Sequence, residues 1–222
     1  AVLALPKALS SSEARRFMAR YFQAYEVYPS TSSLFTGYYE PTVNGSLTRT
    51  SYYQVPIYAK PYNLVRVRFG SSKRYRLRVN GRYVMPPTRA EISKGSLLPN
   101  TKVLAWVHSK VDRAYLQIQG SGSILLPSGR SLLLGYAAQT GHPYRPIGAY
   151  LIKMGEIQKK DISMQSIRAW LEAHPDQQIK VLNYDPSFVF FRVVHGDQPI
   201  GAQGVELTPT RSLAVDRRYI RL

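Results

Sequence analysis

An Asn-Gly pair at positions 80 and 81 separates two short segments in which apolar and polar side chains alternate, residues 75–79 and 82–85. Asn80 and Gly81 both tolerate a positive φ angle, which the tight turn of a two-residue hairpin requires. Alternation on both sides of such a turn is typical of paired antiparallel strands. The pair therefore predicts a β-hairpin, and any fold of this chain must include a sheet.

Further elements are predicted from apolar periodicity and from the residues that start and stop each segment. Runs bounded by turn residues predict β structure between residues 53 and 83, and strands at 102–108, 115–119, 131–136 and 188–194. Capping residues followed by helical periodicity predict helices at 10–22, from Thr88, at 146–153, from Asp161 or Ser163, and from Asp176 to about Asn183. The predicted class is mainly β with helices (α+β), with a helical block at residues 146–183.

The chain is strongly basic, with 30 Lys and Arg against 13 Asp and Glu and a formal net charge of +17. Such an excess attracts polyanions, and both nucleic acid and an anionic polymer such as peptidoglycan fit it. Seventeen Tyr residues, whose flat faces suit sugars and bases, agree with either partner. The sequence has no Cys, which excludes disulfides and thiolate metal sites, and no apolar run approaches the ~20 residues that span a bilayer.

Few residues remain as candidates for catalysis or metal binding. No pair of the four His residues has the i, i+4 spacing of a metalloprotease, so no metal site is expected. His142, in a glycine-rich loop, is the only His that we predict to face a ligand. Glu40 and Asp216 lie beside apolar residues in the sequence. Apolar surroundings raise the pKa of a carboxyl group, as a general acid at neutral pH requires. Asp216 is followed by two arginines, however, and an ion pair with either favours a structural role.

A glycine-rich segment at residues 119–123, Gln-Gly-Ser-Gly-Ser, is predicted to follow a strand. It is not a phosphate-binding loop, because the terminal Gly-Lys-Ser/Thr is missing and a hairpin rather than a helix is predicted next. Two interpretations remain. The glycines either form a bulge or tight turn, or they let a ligand approach the backbone closely, and composition alone favours the turn.

Seven segments, in order, resemble the membrane-bound lytic transglycosylase A family. The first reads Phe-Thr-Gly-Tyr-Tyr-Glu-Pro and the longest includes Gly-His-Pro-Tyr-Arg-Pro-Ile-Gly. No single segment is decisive, but the ordered series is highly specific and covers most of the chain. The segments are residues 35–41, 55–58, 87–92, 118–122, 135–148 continuing through 164–168, 185–191 and 213–217.

The resemblance implies a fold of two domains. A double-psi β-barrel would be built from residues 1–42 and 185–222, and would be incomplete at its C-terminal end. A smaller β-rich domain with a helical block would be inserted at residues 43–184. A groove between the two would hold a glycan strand.

The implied reaction is the non-hydrolytic cleavage of the β-1,4 bond between MurNAc and GlcNAc. One Asp protonates the glycosidic oxygen and then takes a proton from the C6 hydroxyl, which closes onto C1 to leave a 1,6-anhydroMurNAc end. Asp216 matches the first of three aspartates characteristic of the family and is expected only to support catalysis. The catalytic acid would lie beyond Leu222, so these 222 residues alone are expected to be inactive.

Residue by residue, the resemblance implies a binding groove and no cofactor. The barrel would contribute four residues, Thr36, Gly37, Tyr38 and Tyr39. The inserted domain would contribute Gln119, Gly120, Ser121 and Gly122, with Tyr144 and Arg145 at the border. This implication reverses the preference for a purely structural turn at residues 119–123. It leaves Glu40 doubtful, because Glu40 lies at the edge of its segment.

The implied partner is peptidoglycan. The resemblance places the protein in the periplasm of a Gram-negative bacterium, as a monomer attached to the outer membrane by a lipid anchor outside these residues. One rival hypothesis is a non-catalytic peptidoglycan- or carbohydrate-binding protein on the same scaffold. A second is a nucleic-acid-binding module, suggested by the charge and the tyrosines. We do not expect nucleic acid as a partner, because the sequence contains no recognised nucleic-acid motif.

Overall fold

The computed structural model describes residues 10–23, 39–96, 101–196, 205–208 and 212. The chain divides into two compact units, one formed by Ala1–Gly37 with Leu213–Leu222 and the other by Tyr38–Ser212. The division expected from the resemblance, with boundaries near residues 42 and 185, stays a prediction.

In the first unit the described element is helix α1, Ser11–Tyr21. It begins as predicted, because Ser10 and Glu13 form a capping box. The Ser10 N–H donates to the Glu13 carboxylate at 2.8 Å, and the Glu13 N–H donates to the Ser10 hydroxyl at 3.3 Å. These bonds satisfy two donors that the first turn of a helix leaves free.

The second unit is built on a six-stranded sheet and a separate three-stranded sheet. The smaller sheet has the order β3-β4-β5, and the larger has the order β2-β6-β1-β7-β8-β9, in which β1 and β7 are parallel and every other neighbouring pair is antiparallel. The strands are β1 Thr42–Ser46, β2 Val55–Tyr58, β3 Leu64–Phe69, β4 Ser72–Val79, β5 Arg82–Val84, β6 Val103–Val107, β7 Gly122–Leu125, β8 Ser131–Gln139 and β9 Val189–Val193.

The Asn-Gly hairpin is confirmed. Asn80 and Gly81 have φ angles of 47° and 77°, and Val79 pairs with Arg82 across the turn that joins β4 to β5. The strands predicted at 102–108, 131–136 and 188–194 are also present. The last of them, β9, packs two fully buried rings, Phe190 and Phe191, into the core.

The described residues of the second unit also form five helices and a short 3-10 helix, Lys159–Asp161. The helices are α2 Arg89–Ser93, α3 Lys110–Gln119, α4 Ile147–Lys153, α5 Met164–Ala173 and α6 Pro175–Leu182. Helix α3 joins two cores, because Val111, Ala114 and Tyr115 pack among the helices while Leu116 packs against the large sheet. The α+β class predicted from the sequence is therefore confirmed.

The strand predicted at residues 115–119 is wrong, because these residues are the second half of α3. The Ser109 hydroxyl caps the helix by accepting the Asp112 N–H at 3.0 Å. The buried residues Val111, Ala114 and Tyr115 repeat at helical rather than strand spacing. Asp112 lies in the first turn of α3 and pairs with Arg168 at 2.9 Å.

Replacing Ser109 with Ala should lower the free energy of unfolding by about 1 kcal/mol, because the first turn of α3 loses its capping acceptor. The matched control is Ser131→Ala, at an exposed position that begins β8. It should change stability by less than about 0.5 kcal/mol. Urea unfolding followed by Trp fluorescence measures both, and equal stabilities of the two variants would contradict the capping role.

Candidate functional site

A surface cavity of about 360 Å³ opens where α3 ends and β7 begins. We call it the Gly120 cavity. Its wall combines apolar residues of β8 with polar groups from the end of α3, from β9 and from the segment before β1. The lining residues are Glu40, Gln119, Gly120, Ser121, Leu133, Leu134, Gly135, Tyr136, Arg192 and Val194.

Gly120 forms the corner of this cavity. It ends α3 with a φ angle of 78°, and its N–H donates to the Leu116 carbonyl at 2.8 Å. Side chains rarely adopt this left-handed conformation, so a glycine suits the position. A Cβ atom here would lie 3.9 Å from the Cβ of Tyr136. The bare backbone of Gly120 thus stands beside the Tyr136 side chain, and both interpretations of the glycine, turn and close approach, are compatible with it.

Glu40 shares the cavity with Gln119 and Ser121. Burial raises the pKa of the Glu40 carboxyl above its usual value, because the apolar surroundings disfavour its charged form. Glu40 thus joins the candidate site, although its place at the edge of a sequence segment had left it doubtful. In the cavity it supplies a carboxyl group that can accept hydrogen bonds from a ligand.

Two polar side chains of the cavity, Arg192 and Tyr136, were not predicted from the sequence. Arg192 is the single charged residue in the apolar run of β9, a pattern that could have marked it as facing away from the core. Burial, and then the neighbouring Tyr75 side chain, raise the pKa of the Tyr136 hydroxyl. Tyr136 therefore stays a neutral phenol that presents both a ring face and a hydroxyl.

Gly122 does not line the cavity. It is buried in β7, where a Cβ atom would lie 2.3 Å from Cδ2 of Leu116 and 2.7 Å from the Pro41 carbonyl oxygen. The structure therefore gives Gly122 a packing role between α3 and the start of β1.

Tyr144 and Arg145 do not line the Gly120 cavity. The Arg145 backbone N–H donates to Asp185 Oδ1 at 3.2 Å, and its guanidinium lies 6.0 Å from the centre of the Tyr184 ring. Tyr144 lines a very small cavity with Arg89 and Asp185, where burial and the Asp185 charge raise the pKa of its hydroxyl. That small cavity is lined by Ile118, directly before Gln119, but not by residues 119–121 themselves.

The remaining predicted groove residues are only partly described. Tyr39 is an exposed residue directly before Glu40. Thr36, Gly37, Tyr38 and Asp216 lie outside the described residues. His142, expected to face a ligand, hydrogen-bonds through Nε2 to the Pro86 carbonyl oxygen at 2.8 Å, so that nitrogen is already engaged within the protein.

A buried polar cluster beneath the surface fixes the loop that leads into β9. The Arg89 guanidinium contacts the Asp185 carboxylate at 3.3 Å and donates to the Asp185 carbonyl at 3.1 Å and to the Gln117 side chain. Arg113 lies nearby, where burial lowers its pKa to about 10. The two guanidinium carbons are 5.5 and 5.3 Å from the centre of the fully buried Phe188 ring. The cluster ties together α2, α3 and residues 185–188.

Across the described ranges, no group of three or more His, Asp or Glu side chains is placed to hold a metal ion. Nor does any helix in those ranges have the length and apolar character needed to cross a membrane. The functional groups that the Gly120 cavity offers are hydrogen-bonding ones: an amide, a hydroxyl, a phenol, a carboxyl and a guanidinium, beside an apolar wall. That combination suits a ligand rich in hydroxyl and amide groups.

The protein-family model that describes the MltA-specific insert domain matches residues 34–192 of this sequence. This range contains every residue that lines the Gly120 cavity except Val194. The chain belongs to the MltA family. Membrane-bound lytic murein transglycosylase A of Escherichia coli K12 is 39% identical over 188 residues, which are 84% of this chain and 46% of that protein. A homolog from Buchnera aphidicola is 32% identical over 220 residues, 98% of this chain and 56% of that protein.

Solved structures of the MltA family share the fold of this chain. A membrane-bound lytic murein transglycosylase from Agrobacterium tumefaciens has a TM-score of 0.73 at 36% identity, over 82% of this chain and 52% of that one. E. coli MltA with bound chitohexaose has a TM-score of 0.68 at 36% identity, over 84% of this chain and 50% of that one. The chain thus spans about half the length of the MltA proteins that it matches.

Proposed function

We propose that this chain forms the glycan-binding part of a peptidoglycan lytic transglycosylase, which cleaves the MurNAc–GlcNAc bond and leaves 1,6-anhydroMurNAc ends. The observation that carries the proposal is the family match at residues 34–192, the part of the chain that holds nearly all of the Gly120 cavity. The structure of E. coli MltA with bound chitohexaose supports a glycan strand as the ligand.

The groups of the Gly120 cavity suit a chain of N-acetylated sugars. Gln119 can donate to and accept from sugar hydroxyls and acetamido groups, and Ser121 can do the same through its hydroxyl. The half-exposed ring of Tyr136 offers a flat face to the apolar side of a sugar ring. Because Gly120 has no side chain, a sugar ring can lie beside the backbone there.

In this proposal the cavity holds the strand while the proton transfers take place elsewhere. The resemblance assigns those transfers to an Asp beyond Leu222, with Asp216 in support. Because the attacking C6 hydroxyl belongs to the sugar itself, the reaction needs no second reactant, and precise positioning of one sugar supplies much of the rate. The contribution of residues 119–121 is to fix the strand in register with the acid.

Localisation and assembly are proposed by the same route. The E. coli relative is named membrane-bound, and we propose that this protein also works at the outer membrane of a Gram-negative cell, in contact with periplasmic peptidoglycan, as a monomer.

Incubating the protein with purified sacculi, followed by mass spectrometry of the released fragments, tests the proposed function. Anhydro ends are the expected product of the full-length protein, whereas residues 1–222 alone should be retained on sacculi without releasing them. Retention of the full-length protein without anhydro ends would instead support the alternative, a carbohydrate-binding protein on the same scaffold. Absence of both retention and products would contradict both functions.

Replacing Ser121 or Gln119 with Ala should weaken the binding of chitohexaose about three- to tenfold, because each variant loses a hydrogen bond to the sugar. Isothermal titration calorimetry with the purified chain measures the effect. Ser128→Ala, in the exposed turn between β7 and β8, is the matched control and should leave the affinity unchanged. Equal affinities in all three variants would remove residues 119–121 from the site.

A further inference from the structure

A second cleft, of about 260 Å³, adjoins the Gly120 cavity on the far side of Tyr136, whose side chain lines both. We call it the basic cleft. Three cationic side chains, Arg66, Lys73 and Arg74, line it together with Tyr75, and no carboxylate is among the lining residues. A cleft of this charge is suited to an anionic group.

The surrounding sequence has an extreme charge bias. Between Glu40 and Glu91 the chain has no acidic residue, while its basic residues are Arg49, Lys60, Arg66, Arg68, Lys73, Arg74, Arg76, Arg78, Arg82 and Arg89. The alternation of basic and apolar residues at positions 75–83 is typical of the solvated face of a strand. In the structure, part of the β3–β4 hairpin lines a cleft.

Strand register explains why Arg66 and Lys73 lie on the face of the hairpin that lines the cleft. Leu64 pairs with Leu77, and both are buried against the core. Side chains on a strand alternate between two faces, so the next pair on the same face is Arg66 with Tyr75, followed by Arg68 with Lys73. The core-facing side of the β3–β4 hairpin therefore changes from apolar to basic along its length, and Arg66 and Lys73 lie on the side that faces the rest of the unit.

Tyr75 packs the β3–β4 hairpin against the rest of the unit. The Gly141 backbone lies so close to Tyr75 that a Cβ atom at Gly141 would be 2.9 Å from the Tyr75 carbonyl oxygen, and Tyr75 and Tyr136 line the basic cleft together. These contacts join the small sheet to β8 and to the segment after it. They also place Arg66, whose guanidinium carbon is 5.6 Å from the centre of the Tyr75 ring, close to the Gly120 cavity.

Within the described part of the chain, none of the cleft's cationic groups forms an ion pair. The ion pairs found there involve Arg89 with Asp185, and Arg168 with Asp112 and Glu172. The side chains of Arg66, Lys73 and Arg74 are exposed. Three like charges are thus held together at a cleft without a compensating carboxylate, an arrangement that an incoming anion stabilises.

We propose that the basic cleft binds a carboxylate borne on the lactyl branch of a muramoyl sugar whose glycan strand lies in the Gly120 cavity. This inference rests on the proposed function. The carboxylate is either that of the lactyl group itself or one of an attached stem peptide, and both leave the sugar ring from the same carbon. Tyr136, which borders both spaces, separates the sugar from its anionic branch.

The test compares three hexasaccharides of equal length by calorimetry: chitohexaose, which has no carboxylate, and alternating GlcNAc–MurNAc hexasaccharides with and without stem peptides, prepared from sacculi. The unchanged protein should bind at least one muramoyl hexasaccharide about tenfold more tightly than chitohexaose. In the double variant Arg66→Gln/Lys73→Gln this preference should disappear, while chitohexaose affinity stays the same. The muramoyl hexasaccharide that binds more tightly than chitohexaose identifies the source of the carboxylate.

The control is Arg78→Gln/Arg82→Gln, which removes the same charge from the same small sheet at exposed residues that do not line the cleft. It should keep the preference, and circular dichroism should show all variants folded. Equal loss in both double variants would mean a diffuse field and overturn the inference. Equal affinity of the unchanged protein for all three hexasaccharides would also overturn it. So would a result in which Arg66→Gln/Lys73→Gln weakens binding to anionic lipid vesicles but changes binding to no hexasaccharide. Failure to bind chitohexaose would instead count against the proposed function.

Discussion

Replacing Asp185 with Ala should lower the free energy of unfolding by about 3–5 kcal/mol, because the Arg89 guanidinium would remain buried without its counter-charge. The side chains of Arg89 and Asp185 are each only 6% exposed. The Asp185 carboxylate also accepts the backbone N–H groups of Arg145 at 3.2 Å and Ser187 at 3.1 Å. The substitution thus removes a charge and the acceptor for two backbone donors.

Urea unfolding followed by Trp fluorescence reports on this unit directly, because both tryptophans, Trp106 and Trp170, belong to it. Asp161→Ala, an exposed carboxylate in the 3-10 helix, is the control and should cost less than about 0.5 kcal/mol. Adding Arg89→Met to the Asp185 variant should restore part of the loss, since the unpaired charge is then gone. A loss below about 1 kcal/mol for Asp185→Ala would show that the pair is not isolated from water.

Replacing Gly122 with Ala should lower the free energy of unfolding by about 2–3 kcal/mol, because the new methyl group has no space. Its nearest neighbours would be Leu116 Cδ2 at 2.3 Å and the Pro41 carbonyl oxygen at 2.7 Å. The Leu116 side chain is fully buried, and the Pro41 oxygen already accepts the Ser123 N–H at 2.9 Å. Neither neighbour can move without disturbing α3 or the pairing of β1 with β7.

Gly120→Ala provides the contrast within the same segment. Space is open there, since the nearest atom is 3.9 Å from the added Cβ, and only the positive φ angle of 78° opposes the change. The cost should be about 1 kcal/mol. The same urea experiment measures both variants. Equal losses, or a larger loss at Gly120, would contradict the assignment of Gly122 to packing and Gly120 to the corner of the cavity.

The sequence predicted most of the elements because their signals are local. The Asn80-Gly81 turn and the capping boxes at Ser10 and Thr88 each lie within four residues of the structure that they define. Two elements differ from the prediction. Strand β1 was not predicted, and α3 was taken for a strand because its capping residue Ser109 was overlooked. Gly120 then looked like a strand end, although it is the left-handed residue that ends a helix.

The candidate site could be predicted only where the residues are close in sequence. Residues 119–121 form one segment, and the family resemblance drew attention to them. Arg192 and Glu40 reach the same cavity from segments about 150 residues apart, through the pairing of β8 with β9 and of β1 with β7. The Arg89–Asp185 pair is similar, because the two residues are 96 positions apart. Such contacts follow from sheet order, which periodicity does not reveal.

A crystal structure of the chain with chitohexaose tests the central claim most directly, namely that the Gly120 cavity is where the glycan strand binds. We expect sugar rings beside Gly120 and Tyr136, with oxygen or nitrogen atoms of the sugar within about 3.2 Å of the Gln119 and Ser121 side chains. An oligosaccharide ordered elsewhere on the protein, with this cavity free of sugar, would contradict it.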